Sequence, residues 1–169
     1  FQRHPEAEVV FVGCNRLPEK AGIYQRTERF GLKTIHFNRE QLNRGAVAQM
    51  LQEAEVDWVV LAGFLLRIPS EIVELFNGRM VNIHPSLLPK YGGKGMYSHH
   101  VHEAVLKAKE KESGMTVHWV SAEYDDGDIL FQASCLVGLD DSVETLGAKV
   151  LALEHRYYAD VVESLIRES

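Results

Sequence analysis

The chain has 169 residues, enough for one domain around a single core, and 46% hydrophobic with 25% charged residues is the composition of an ordinary globular protein. Its net charge of −6 excludes a broad surface for nucleic acid or anionic membrane, though a few local groups can still hold an anionic small molecule. No apolar run approaches about 18 residues and the opening FQRHPEAE has no signal-peptide pattern, so the expectation is a soluble, cytoplasmic domain.

Strand-like and helix-like segments alternate along the chain. Residues 8–13 (EVVFVG) are a short β-branched run that predicts a buried strand; it ends just before Cys14. Cys14 and Cys135, the only cysteines, both lie in apolar runs and read as reduced, buried thiols, which suits a reducing compartment. Residues 18–30 predict a helix, with Pro18 at its start and Gly31 past its end. Residues 33–37 predict a second strand, and residues 46–54 place Val47, Met50, Leu51 and Ala54 at helical spacing. Residues 57–62 (DWVVLA) are nearly all apolar, as in a central parallel strand covered on both faces. Ser70 caps a short helix through Phe76, residues 79–84 return as a strand, and a helix runs from Ser98 to about Lys109.

After Gly114 the pattern changes. Residues 115–120 and 129–137 predict strands joined by the polar turn YDDGD, a hairpin-like antiparallel pair. Residues 142–166 predict a long helix with Leu146, Val150, Leu153, Tyr157, Val161 and Leu165 on one stripe. Neither a repeat nor a linker is visible, so residues 1–169 are taken as one domain. The fold class is α/β, Rossmann-like: a mostly parallel sheet with helices on both faces and an antiparallel extension near the C-terminal half.

In open α/β sheets ligands bind outside the carboxyl ends of the strands. The segment MVNIHPSLLP ends a strand in that position. Asn82 and His84 are two residues apart and share a face, while Pro85 ends the ladder and Pro89 stiffens the exit. An amide and an imidazole held together can bind a carbonyl oxygen as it becomes an oxyanion. On those two residues alone the plainer reading, a strand-end histidine bonded to a nearby loop, carries more weight. Gly92-Gly93-Lys94-Gly95 and Asp125, within Tyr124-Asp125-Asp126-Gly127, shift the balance toward chemistry.

The run from Asn82 to Tyr91 (NIHPSLLPKY) resembles the active-site segment of the phosphoribosylglycinamide formyltransferases, the glycinamide ribonucleotide transformylases of the folate-dependent formyltransferase family. Three further stretches match in the same order: Leu61-Ala62-Gly63-Phe64; Gly114-Met115-Thr116-Val117-His118-Trp119 with Tyr124-Asp125-Asp126-Gly127; and Glu154-His155. The likeness spans residues 8–163. It implies transfer of the formyl group from 10-formyltetrahydrofolate, the cosubstrate, to the amine of glycinamide ribonucleotide in de novo purine biosynthesis, with no metal and no covalent enzyme intermediate. Partners would be these small molecules, with no nucleic acid and no membrane. Asn82 and His84 would contact the formyl group and its tetrahedral intermediate. Asp125 would pair with His84 or order a water beside it, raising the imidazole pKa. Leu65, Leu66, Arg67 and Ile68 would line the pterin pocket, partly through backbone groups, with Asn82 also facing the folate. Pro85 and Ser86 would touch the nucleotide, and Glu154 would accept hydrogen bonds from its ribose. Arg39, or Arg44 if one gap moves, would meet the folate tail.

The chain departs from that pattern in three places. The family opens with a strand leading to a glycine-rich Gly-Ser-Gly-x-Asn loop that holds substrate phosphate at a helix N-terminus. The sequence has no such segment, and Phe1-Gln2-Arg3-His4 resembles the end of the helix that would follow it, so an N-terminal segment is expected to precede Phe1. The loop of residues 92–98 is longer than in many members, and Leu66-Arg67 is shifted by one from the commoner arginine position.

Other residues have plainer readings. His99, His100 and His102 do not converge as metal ligands at their spacing and read as helix start and site rim. His118, alternating along a strand, reads as a core or supporting histidine; Asp126 and Asp128 serve turn chemistry; residues 107–112 form a solvated helix end. Residues 92–95 suit a phosphate cradle or a mobile lid. Competing functions are a formyltetrahydrofolate hydrolase sharing the Asn, His and Asp, transfer to methionyl-tRNA, and a non-catalytic folate- or nucleotide-binding domain. The Pro85-Ser86 pair and Glu154 favour the nucleotide as acceptor, and the acidic balance disfavours tRNA.

Overall fold

The computed structural model describes residues 7–169. The reading of Phe1–His4 as a helix end lies outside the described residues. Strand β1 (Val12–Cys14) pairs in parallel with β2 (Thr34–His36) in a two-stranded sheet. A second sheet has the order β3 (Val59–Ala62), β4 (Met80–His84), β5 (Glu112–Trp119), β6 (Ile129–Leu136). The β3–β4 ladder is parallel, and the β4–β5 and β5–β6 ladders are antiparallel. Among the described residues six α-helices cover them: α1 (Ile23–Arg29), α2 (Arg39–Asn43), α3 (Ala46–Glu53), α4 (Ser70–Leu75), α5 (His99–Lys107) and α6 (Val143–Glu168). The chain is thus α/β, with parallel β–α units followed by an antiparallel extension.

Strand β4 explains why the core is double. Side chains alternate across a strand, so Met80 points to one face and Val81 and Ile83 to the other. Met80 joins Phe37, Leu42, Val47, Leu51, Ile72 and Phe76 in a core roofed by α2, α3 and α4. Val81 and Ile83 join Val101, Val105, Leu146, Val150 and Val162 in a core roofed by α5 and α6. Helix α6 supplies the longest apolar stripe. Its first turn is fixed by a capping box, in which the Ser142 Oγ accepts from the Thr145 amide at 3.3 Å and the Thr145 Oγ1 accepts from the Ser142 amide at 2.9 Å.

Several elements differ from the sequence expectation: the strand expected over residues 8–13 is only Val12–Cys14, without a buried residue, and Ser70 opens α4 without a side-chain cap, Pro69 standing before it. The helix of residues 18–30 is two pieces, a 3₁₀ turn at Pro18–Lys20 and α1, because Ala21 is extended and Gly22 restarts the helix. Helix α2 had no periodic signal; the Asn38 side chain creates it by accepting from the Gln41 amide at 2.8 Å while the Gln41 Oε1 accepts from the Asn38 amide at 2.9 Å. Strand β3 is not covered on both faces, since Val60 is 37% exposed and Val59 and Leu61 alone pack into the core beneath α3.

Candidate active site

Asn82 and His84 lie on the Met80 face of β4, and an open cavity of about 830 Å³ begins where they do. That volume is in the range of small-molecule sites, roughly 300–1,000 Å³. Its walls come from the ends of β3 and β4, the loop of residues 93–98, the turn at Tyr124 and Asp125, and one flank of α6. Most of the lining is apolar, with convergent polar groups at Asn82, His84, Asp125 and Glu154.

His84 is 4% exposed and both ring nitrogens have neighbours. Nε2 lies 2.8 Å from the Tyr91 carbonyl oxygen; a carbonyl only accepts, so Nε2 carries a proton. Nδ1 lies 3.4 Å from the Asp125 Oδ2. In the neutral ring that nitrogen is a lone pair beside a carboxylate, and a proton delivered to it would be shared between the two. Burial pushes the His84 pKa below its ordinary value, and the charge of Asp125 pulls it partly back. The upward pull expected from Asp125 is therefore present, but desolvation outweighs it and the net direction is down.

Asp125 sits in the left-handed region with φ 53°, tolerable for Asp. That conformation turns its carboxylate inward. Oδ2 accepts from the Gly93 amide at 2.9 Å, and Oδ1 lies 3.6 Å from His118 Nε2. Burial pushes its pKa up, but the charge that the neighbouring His118 and His84 rings carry when protonated, with the Gly93 N–H, holds the carboxyl below the usual range. The free site is thus a carboxylate facing a neutral imidazole. The glycines of residues 92–95 serve this carboxylate first: Gly93 gives it an N–H, and a Cβ on Gly92 would come within 3.3 Å of the Asp125 Cβ.

The remaining predicted residues divide. Leu65 and Pro85 reach the cavity, as does Glu154, whose pKa burial raises. Leu66 and Ile68 turn their side chains into the core with Phe37 and Ile72. Arg67 is spoken for on the outer surface: Nε donates to the Ala122 carbonyl at 2.8 Å and the guanidinium pairs with Glu123 at 2.7 Å. Ser86 is 1% exposed, and its hydroxyl donates to the Lys90 carbonyl at 2.7 Å, holding the Pro85–Tyr91 loop rather than facing the cavity. Arg39 lies in the first turn of α2, away from the cavity lining, and Arg44 pairs with Glu40 at 2.8 Å. Among the described residues no three His, Cys, Asp or Glu side chains gather as a metal site.

Two histidines read from the sequence only as site rim and as a core or supporting residue take definite places here. His102 is 7% exposed on the cavity wall, its Nδ1 lacks a partner, and a Cβ on Gly147 would come within 3.2 Å of its ring; Gly147 leaves room for it. His118 stands opposite Asn82 in the β4–β5 ladder, and its Nε2 is 3.1 Å from Asn82 Nδ2. The register of that ladder is the signal that would have paired them, and register is not a property of either strand alone.

Known proteins resemble this chain along most of its length. The formyl transferase family model matches residues 2–162. The chain is 44% identical over 127 residues to a chloroplastic phosphoribosylglycinamide formyltransferase of Arabidopsis thaliana, covering 75% of this chain and 44% of the relative. It is 36% identical over 159 residues to the trifunctional purine biosynthetic protein adenosine-3 of Gallus gallus, covering 90% of this chain and 15% of that one. The chain therefore spans less than half the length of these relatives. A crystal structure of glycinamide ribonucleotide transformylase 1 from Symbiobacterium toebii superposes with a TM-score of 0.88 at 32% identity, covering 99% of this chain and 77% of that one. A formyltetrahydrofolate deformylase from Pseudomonas syringae shares the fold, with a TM-score of 0.83 at 20% identity, covering 96% of this chain and 53% of that one. With its family match running over almost the whole length and its Asn, His and Asp gathered at the end of β4, this chain is a member of the formyl transferase family.

Proposed function

We propose that the domain transfers a formyl group from 10-formyltetrahydrofolate to the amine of glycinamide ribonucleotide. The observation that carries this reading is the contact of Asp125 with His84, 3.4 Å apart inside a cavity that also holds Asn82 and Glu154. The neutral amine attacks the formyl carbon, forming the new C–N bond and an oxyanion. An N–H of Asn82 not committed to His118 meets that oxyanion. The amine's surplus proton passes to His84 Nδ1, where the ionised Asp125 stabilises it. As the bond from carbon to the folate N10 breaks, the same proton goes to N10, the carbonyl re-forms, and the imidazole returns to neutral. One oxyanion donor is worth roughly 10²–10³ in rate.

Recognition in this reading belongs to the rest of the cavity. Leu65 and Phe64 offer an apolar wall for the pterin, together with backbone groups of the segment after β3. Glu154, on the α6 flank, accepts from the ribose hydroxyls, and Pro85 bounds the nucleotide side. Of the two arginines expected at the folate tail, Arg44 is paired with Glu40 and Arg39 lies outside the cavity lining, whereas Arg16 stands on the cavity wall. Free thiols at Cys14 and Cys135 suit a reducing compartment such as the cytoplasm.

The test is formyl transfer from 10-formyltetrahydrofolate to glycinamide ribonucleotide by the full natural polypeptide carrying this domain. Nucleotide-dependent production of tetrahydrofolate is the expected result. Release of formate at the same rate with and without the nucleotide would replace transfer by hydrolysis. His84→Ala is expected to lower turnover by about 10²–10⁴ with the unfolding transition retained.

A further inference from the structure

His118 has no role in the transfer step as written, yet it touches two of the three residues that do. It faces Asn82 across the β4–β5 ladder, and it is 2% exposed. A register shift between Val117 and His118 in the β5–β6 ladder marks an irregularity at this point, the kind of feature that re-aims a side chain. The ring lies between three groups. Nδ1 is 2.8 Å from the Trp119 carbonyl oxygen, Nε2 is 3.1 Å from Asn82 Nδ2, and Nε2 is 3.6 Å from Asp125 Oδ1.

Donor and acceptor chemistry then leaves one arrangement for the neutral ring. The Trp119 carbonyl has no hydrogen to give, so Nδ1 must carry the ring proton. Nε2 is left as a lone pair, and a lone pair needs a donor. Of the two ends of the Asn82 amide only the nitrogen can supply one. We propose that His118 is a positioning residue for formyl transfer: by presenting an acceptor it fixes the Asn82 amide with nitrogen toward β5, which turns the second N–H and Oδ1 into the cavity. A flipped amide would set its oxygen against the lone pair and present a different edge to the formyl group. Trp119 is itself held, because its amide donates to the Asp128 carbonyl at 3.0 Å and Gly127 lies against its carbonyl. The turn after Asp125 and the tautomer of His118 therefore both lean on the backbone of Trp119, through its amide and its carbonyl. The proposal rests on the formyl-transfer reading for its kinetic consequence, but the tautomer and the amide orientation stand apart from it.

The test uses two variants and one spectrum. His118→Phe keeps a flat ring without the acceptor, and His118→Gln keeps an acceptor near the Nε2 position. His118→Phe is expected to lower kcat by about 10², the worth of a misplaced oxyanion donor, with little change in either KM. His118→Gln is expected to restore most of that loss. In an Asn82→Ala background, His118→Phe is expected to cost less than about threefold more, because the group it orients is gone. Multiplying losses, or a Gln variant no better than Phe, would overturn the proposal. ¹⁵N spectra of the imidazole in the unaltered protein supply the reading that needs neither activity nor a folded variant. Nδ1 protonated and Nε2 bare is expected; the opposite tautomer overturns the proposal even if transfer is fast. Absence of transfer with the expected tautomer would count against the formyl-transfer reading alone.

Discussion

Asp125 is a residue whose backbone and side chain have separate requirements. Its φ of 53° asks for a residue that tolerates the left-handed region, and its carboxylate accepts from the Gly93 amide and lies beside the rings of His84 and His118. Asn shares the backbone tolerance and the shape but lacks the charge, so Asp125→Asn isolates the electrostatics. Turnover is expected to fall by about 10²–10⁴, as for loss of positioned proton transfer, while the urea midpoint changes little. Turnover within threefold of the parent would remove Asp125 from the mechanism. The same variant loses the larger of the two interactions that lift the His84 pKa, the other being the hydrogen bond to the Tyr91 carbonyl, so NMR titration should find that imidazole lower still.

At the scale of elements, the turn after β5 decides where Asp125 goes, and Gly127 decides the turn. A Cβ at Gly127 would lie 1.8 Å from the Trp119 carbonyl oxygen, a backbone atom that cannot yield. Gly127→Ala is therefore expected to destabilise by about 3 kcal/mol and to cost activity as the turn lifts from β5. Gly22→Ala is the control. Nothing lies within 4 Å of its Cβ and its φ of −66° suits alanine, so stability should hold or rise by roughly 0.4–1 kcal/mol. Equal urea midpoints for the two variants would refute the close-approach argument. Gly147 is a gentler case of the same logic: a helix position without a Cβ, at some cost in propensity, makes room for the buried ring of His102.

At the scale of the whole molecule, two buried imidazoles couple stability to pH. Burial pushes His84 and His102 below the ordinary value, and His99 adds to the effect at His102. The unfolded chain takes up protons near about 6.5 while these sites in the folded chain do not. Their contribution is full above that pH and is lost as pH falls through it toward the depressed values. The urea midpoint is accordingly expected to drop between about pH 7.5 and about pH 6, and His102→Gln to make the slope shallower. A flat profile in the parent protein would remove both sites from the account. Glu154, raised by burial, acts in the opposite sense at lower pH, just above its ordinary 4.5, so the higher window is the clean one.

Local chemistry alone determined the parallel β–α units, the long capped α6 and the strand tip carrying Asn82 and His84, because hydrophobic period, capping residues and proline act over a few neighbours. The family likeness likewise lay in short motifs, and Asp125 could be named from its turn. Which nitrogens meet which oxygens could not be read there. The pairing of His118 with Asn82, the side-chain contacts of Arg67 with Glu123 and of Ser86 with the Lys90 carbonyl, and the net fall of the His84 pKa all depend on ladder register and burial. Those are properties of segments brought together from far apart in the chain, and only packing sets the dielectric and the distances that fix them.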